Sequence, residues 1–279
     1  MTERPAEDAV VTVRRVRFVE SSGPGERVLL RFDGPHPSVA AASALPAEAL
    51  AAPAAEAPDE LVVVHMAAEA LRQTAEGRRV AAWFDGAPAS EVTGARAAVS
   101  VGAVRWRPGR ALVTASPGDL EPCLAALADF AFYEGELRRL EAETAAGWAQ
   151  AEADSPLMGR ADRSGAARQD AVAERCAAVA LRRLRAAQLE PHLVAPPGTW
   201  GEAACDLGRR LRDEADVETR LEILDGQIEV YEYIYELACQ RISDYRHFHR
   251  EYVVEVLIVV ILAIETLMLA CEAYDYLGL

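Results

Sequence analysis

Three side chains on one predicted helix could do chemistry together: Asp244, His247 and Glu251, spaced i, i+3 and i+7. That spacing sets two carboxylates and an imidazole on a single helix face, the donor types that hold a divalent metal. One helix supplies too few ligands in the right geometry, so a metal here, as in a metal-dependent helical enzyme, would need a further carboxylate or histidine from elsewhere. A solvated polar face is the simpler reading, and no cofactor or metal is expected. His249 falls instead on an apolar seam, where a packed or interface histidine is the expectation. Other catalytic patterns are absent: there is no phosphate-cradling Gly-rich loop, no G-x-S-x-G elbow, no H-E-x-x-H and no kinase signature. His36, His65 and His192 have no partner at a recognisable spacing. The chain reads as not an enzyme.

Glu255 and Glu265 draw attention for another reason. They ride in Val253 to Cys271, nineteen residues whose only other polar member is Thr266. At a rise of about 1.5 Å per residue the run is about 28 Å long, close to the hydrocarbon thickness of a bilayer. Its many Leu, Ile and Val offset one acid near the midplane, and Glu255 lies at the boundary where it can reach water. Hydrocarbon cannot solvate the Glu265 charge, so this residue must be protonated, paired or beside water. Arg241, Arg246 and Arg250 precede the run while Glu272 and Asp275 follow it, an asymmetry that predicts a cytoplasmic N-terminal part. The expected localisation is therefore a single-pass, tail-anchored membrane protein. A fully buried core helix of a soluble helical oligomer is the alternative.

The elements that would position these residues lie upstream. Val217, Leu221, Leu224, Ile228, Tyr231, Tyr235, Ala238, Ile242, Tyr245, His249, Tyr252 and Val256 recur with 4-3 spacing over more than five heptads. A 3.6-residue period would drift by about 20° per heptad over such a span, so the pattern predicts a coiled-coil-like seam for self-association. The Tyr residues at seam positions are bulky for a two-stranded coil and favour packing on the preceding helices or a larger bundle. This long helix is expected to start at Thr199 or Gly201. A second predicted helix covers about 165 to 189, and a first begins after Ser116-Pro117 with Leu120, Leu124, Leu127 and Phe130 at helical spacing.

Before residue 116 the pattern changes to short strands, giving a small α+β domain over residues 1–115, followed by a helical domain at 116–252 and the anchor at 253–271. Val10 to Val19 and Arg27 to Phe32 alternate across a Ser-Ser-Gly-Pro-Gly turn, which predicts a hairpin. Asp33 to Asp59 reads as an Ala/Pro-rich linker. Leu61 to Met66, Val80 to Phe84, Ala97 to Trp106 and Ala111 to Thr114 read as further strands, with a helix between the first two.

Composition narrows the partners. The chain of 279 residues has a net charge of −15, and its last 80 residues hold 17 acids against 7 arginines. Such a surface repels phosphate backbones, so no nucleic-acid partner is expected. All 29 basic residues are arginine, and none cluster with aromatics on one face. Five scattered cysteines without a C-x-x-C pair suggest neither a disulfide framework nor a zinc knuckle. The acidic start, Glu3, Glu7 and Asp8, carries no signal-peptide pattern.

The segment Leu221 to Tyr274, above all Val254 to Glu265, resembles the C-terminal signature of the family required for meiotic nuclear division, or domain of unknown function 155. That signature sets a Glu, a Trp, an aliphatic run and a second Glu ten residues after the first. Glu255 and Glu265 match the acids, and Val256 stands where the signature has Trp. The Pro-rich loop with Trp200 and the stretch LEILDGQIEVYEYIYEL extend the resemblance over about residues 116 to 274. The resemblance implies a membrane-anchored protein with an N-terminal α/β domain and a helical stalk. It also implies a tethering role such as eukaryotic relatives have at the mitochondrial inner membrane, where they support translation. It brings no catalytic residue.

These readings converge on an oligomeric membrane scaffold that meets the membrane, copies of itself and an unknown cytoplasmic protein partner. A homo-oligomeric cation pathway built on Glu265 is the other expectation.

Overall fold

The computed structural model describes residues 11–33, 37–51, 59–86, 94–100, 102–159 and 167–277. The fold is α+β: a seven-stranded mixed sheet followed by long helices and one long apolar C-terminal helix. The strands are β1 (Thr12–Val19), β2 (Arg27–Phe32), β3 (Ser38–Leu45), β4 (Glu60–His65), β5 (Ala95–Val99), β6 (Gly102–Arg107) and β7 (Arg110–Ala115). Their spatial order is β2-β3-β1-β4-β7-β6-β5. Among the described residues only β4 and β7 pair in parallel.

The helices are α1 (Ala68–Gln73), α2 (Ala75–Asp85), α3 (Leu120–Asp154), α4 (Gln169–Val194), α5 (Glu202–Glu214) and α6 (Val217–Leu277). The chain forms two compact units. The first comprises residues 1–144 and 182–226, and the second residues 145–181 and 227–279. The division does not follow the change of composition near residue 115, because the first unit takes in helical residues that pack on the sheet.

In the first unit both sheet faces are covered, which is why β4 reads as an unbroken apolar run rather than an alternation. Val62 and Val64 join Val13, Leu112, Val80 and Phe84 in one cluster, putting α2 on that face. On the opposite face Trp106 meets Phe130 of α3 edge to face at 4.9 Å, and Phe32 stacks on Phe132 at 4.0 Å. The β6–β7 turn is the pair Pro108-Gly109, where Gly109 has φ +72°, a conformation natural to glycine.

Several expectations are corrected. The Ala/Pro-rich stretch from Asp33 to Asp59 is not a linker throughout: Ser38–Leu45 is β3, buried over Val39 to Ala42. Alanines suffice there because the strand lies between β1 and β2, where small side chains still exclude water. The same insertion breaks the expected hairpin, since β1 pairs with β3 and β4, and β2 pairs with β3. Part of the Asp33–Asp59 stretch, and His36 within it, lies outside the described residues.

Val80 to Phe84 is helical, not a strand. Thr74 caps α2 by accepting from Gly77 N at 2.9 Å, and Val80 and Phe84, four residues apart, face the sheet together. Ala97 to Trp106 is two strands, β5 and β6, paired antiparallel. The long helix does not start near residue 200, because Asp216, at φ +50°, separates α5 from α6. α4 also continues through Pro191 to Val194.

Candidate membrane-interface site

The sequence-predicted seam lies along α6, and burial divides it in two. Leu224, Ile228, Tyr231, Tyr235 and Ile242 are buried within this chain, and Leu221 is half-buried. These positions serve intrachain packing, so they are corrected from the expected oligomer seam. In the second unit, for example, Trp148 of α3 meets Tyr231 at 5.2 Å between ring centroids. Beyond Ile242 the same register continues without cover: Tyr245 is half-buried, while His249 and Tyr252 are exposed. Tyr245 and His249 lie one turn apart with parallel rings 6.1 Å between centroids. With Phe248 and Tyr252 they line an open groove of about 560 Å³, an amphipathic aromatic surface with Arg241 and Glu255 at its ends. Tyr rings with a polar tip suit the boundary between water and hydrocarbon.

Asp244, His247 and Glu251 stand on exposed positions of the same turns. His247 Nε2 lies 3.3 Å from Glu251 Oε1, an ion pair when the ring is protonated. Among the described residues no three His, Cys, Asp or Glu are grouped so as to hold a metal.

Directly above this collar α6 becomes apolar. Its most apolar window has a mean hydropathy of 2.5 and no part buried, which makes α6 long and apolar enough to cross a membrane. From Val253 to Leu269 every residue is exposed, Leu257 by 59% and Leu267 by 66%. Soluble monomers rarely leave so large a contiguous apolar surface open to water. Thr266 costs little in such a setting, because its hydroxyl donates to Leu262 O of its own helix at 2.7 Å. Glu255 and Glu265 are the two acids within the exposed run.

Buried and half-buried ionic groups join helices within each unit, and sequence reasoning missed all of them. In the second unit Asp154, fully buried, accepts from Arg175, from Gln150 Nε2 at 3.2 Å and from the Tyr235 hydroxyl at 3.5 Å. Burial first, then the Asp154 charge, raises the Tyr235 phenol above its ordinary value. In the first unit Arg212 Nη2 donates to Asp129 Oδ2 at 2.7 Å and to His192 O at 2.9 Å. Desolvation raises the Asp129 carboxyl despite the attraction of Arg212. Also in the first unit, Arg220 grips Glu141 through two bonds, 2.9 and 2.7 Å, and reaches Glu134 at 3.0 Å. The partners in these contacts mostly lie many residues apart, so no local spacing marks them.

Two further histidines find structural roles. His65 Nε2 donates to Ala115 O at 2.8 Å, since a carbonyl only accepts, and Nδ1 lies 3.2 Å from Thr12 Oγ1. His192 stacks on Tyr133, with centroids 4.4 Å apart. Compared with models of known protein families, with curated proteins and with solved structures, the chain matches none.

Proposed function

We propose that this protein is a membrane-anchored scaffold or tether with no chemistry of its own, held in the bilayer by Val253–Leu269. The observation that carries the reading is the continuous exposure of that apolar run, which no other described residue covers. Hydrocarbon is the solvent that matches it. Arg241, Arg246 and Arg250, which precede the apolar run, favour a cytoplasmic location for the N-terminal part. Self-association uses the exposed end of the seam, Tyr245, His249 and Tyr252, leaving the sheet domain to meet a cytoplasmic protein. The resemblance to the family required for meiotic nuclear division, carried by Glu255 and Glu265, supports the tethering role.

Fractionation of expressing cells tests the reading. The chain is expected in the membrane pellet after alkaline carbonate washing, and in solution only with detergent. A chain that is monomeric and freely dissolved without lipid or surfactant overturns it.

A further inference from the structure

In the first unit four arginines gather on the sheet face that carries α2. Side chains alternate along a strand, and Leu112 of β7 packs with Val80 and Phe84 of α2. The register sets Arg105 of β6 opposite Leu112 and Arg96 of β5 opposite Arg105, so both share that face. Arg107 and Arg110, which flank the Pro108-Gly109 turn, are register partners on it as well. Like charges directly opposite one another on paired strands repel and cost stability. The expectation that no arginines cluster with aromatics on one face is thereby corrected: the four meet through the pairing of three strands, which no local spacing announces.

Rings at the end of α2 hold three of these groups. The Arg105 and Arg107 guanidiniums stand 4.5 and 5.5 Å from the Phe84 ring centroid, and that of Arg110 stands 5.2 Å from the Trp83 centroid. One carboxylate answers them, Asp85, which pairs with Arg105 at 2.5 Å. Among the described residues Arg96, Arg107 and Arg110 make no ion pair. Arg110 is 7% exposed, and its Nη1 donates to Trp83 O at 2.8 Å. A charge buried this far calls for an opposite one, and a carbonyl carries only a partial charge. Arg96 is exposed and Arg105 and Arg107 are half-buried, so an anion can approach these three from solvent.

We propose that Arg96, Arg105 and Arg107, with the Arg110 charge behind them, bind a phosphate group, carried by a small soluble molecule or by a lipid headgroup. Four guanidiniums against one aspartate exceed what a single carboxylate would neutralise, whereas a phosphate monoester brings up to two charges and three acceptor oxygens suited to arginine forks. The site belongs to the sheet and α2, so it stands whether or not α6 enters a bilayer.

The test is isothermal titration calorimetry of the full chain in an uncharged detergent, with inorganic phosphate, inorganic pyrophosphate and acetate as probes. Phosphate and pyrophosphate should bind saturably, acetate at least about tenfold more weakly, and added salt should weaken all three. Arg96→Gln and Arg107→Gln should each lower phosphate affinity by about tenfold or more, the order of a hydrogen bond to a charged group. Arg31→Gln, exposed on β2 at the opposite edge of the sheet, should leave it unchanged. In phosphate-free buffer the two cluster variants should melt no lower than the parent, because each removes a repulsion, and pyrophosphate should raise the parent's melting temperature more than theirs. Phosphatidic acid added to the micelles displaces pyrophosphate if the source is a headgroup and fails to do so if it is soluble, and both results support the site. Absence of saturable phosphate binding, acetate binding as tight as phosphate, or equal losses for Arg31→Gln and Arg107→Gln overturns the proposal.

Discussion

Placing a charge in the middle of the exposed run is the sharpest perturbation of the anchor. Ile261 is 48% exposed and lies near the centre of Val253 to Cys271, so Ile261→Arg removes no packing inside the protein. The run holds twelve Leu, Ile and Val residues. At about −0.3 to −0.6 kcal/mol each they favour insertion by roughly 4 to 7 kcal/mol, and Glu265 opposes them by about 3 kcal/mol. The parent margin is then about 1 to 4 kcal/mol. Replacing Ile261 by Arg forfeits about 0.5 kcal/mol and adds about 3 kcal/mol, which cancels most or all of that margin. The carbonate-resistant fraction should fall to roughly half or less, whereas Glu265→Leu, a change of about 3.5 kcal/mol in the other direction, should resist extraction more strongly than the parent. Circular dichroism should show both variants melting as the parent does in detergent. An Ile261→Arg chain that pellets with membranes as completely as the parent would refute the reasoning, because hydrocarbon burial of this run would then not be what retains the protein.

Other outcomes follow from the buried contacts and from the exposed end of the seam. Asp129→Leu strands the buried Arg212 guanidinium and should cost about 3 to 5 kcal/mol in urea unfolding, while Asp129→Leu/Arg212→Met recovers most of the loss; additive losses would contradict this account. The folded Asp129 carboxyl keeps its proton to higher pH than in the unfolded chain, so its contribution to stability falls as pH rises from the ordinary carboxylate range to its raised value. The double variant should therefore gain on the parent as pH rises above the ordinary carboxylate range, and an unchanged difference in urea midpoint would count against a raised carboxyl. Along α6, Leu224→Asp buries an unpaired charge and should destabilise the fold by about 4 kcal/mol or more. Tyr252→Arg on the exposed collar should leave melting unchanged but lower the mass measured by light scattering in detergent, and equal masses for parent and variant would remove this surface from self-association.

The helices and the apolar run were legible because their periodicity is local. Leu120, Leu124 and Leu127 lie on one face of α3, and the 4-3 spacing from Val217 to Ile242 marks the buried face of α6. What that spacing could not say is which surface covers it: a heptad seam looks the same whether its partner is another chain or the preceding helices of its own. The sheet was less legible. An alanine-rich β3 has no β-branched run to announce it beyond Val39, and the order β2-β3-β1 depends on pairings between distant segments rather than on a turn. Val80 and Phe84 misled because a short apolar run fits a strand or a helix face equally well. Asp154 and Arg175 gave no advance sign, since a buried ion pair between helices has no spacing rule.

From Gln227 to Leu277 no cap, proline or left-handed residue interrupts α6. The segment therefore has a fixed phase: each residue added or removed between Ile242 and Val253 turns everything above it by about 100° and shifts it by about 1.5 Å. The azimuth of Glu265 is thus keyed to the packed end of the helix, so in an assembly of identical rods every copy would present that carboxyl at the same angle. The short collar between Ile242 and Val253 is consequently a segment in which length matters as much as side-chain identity.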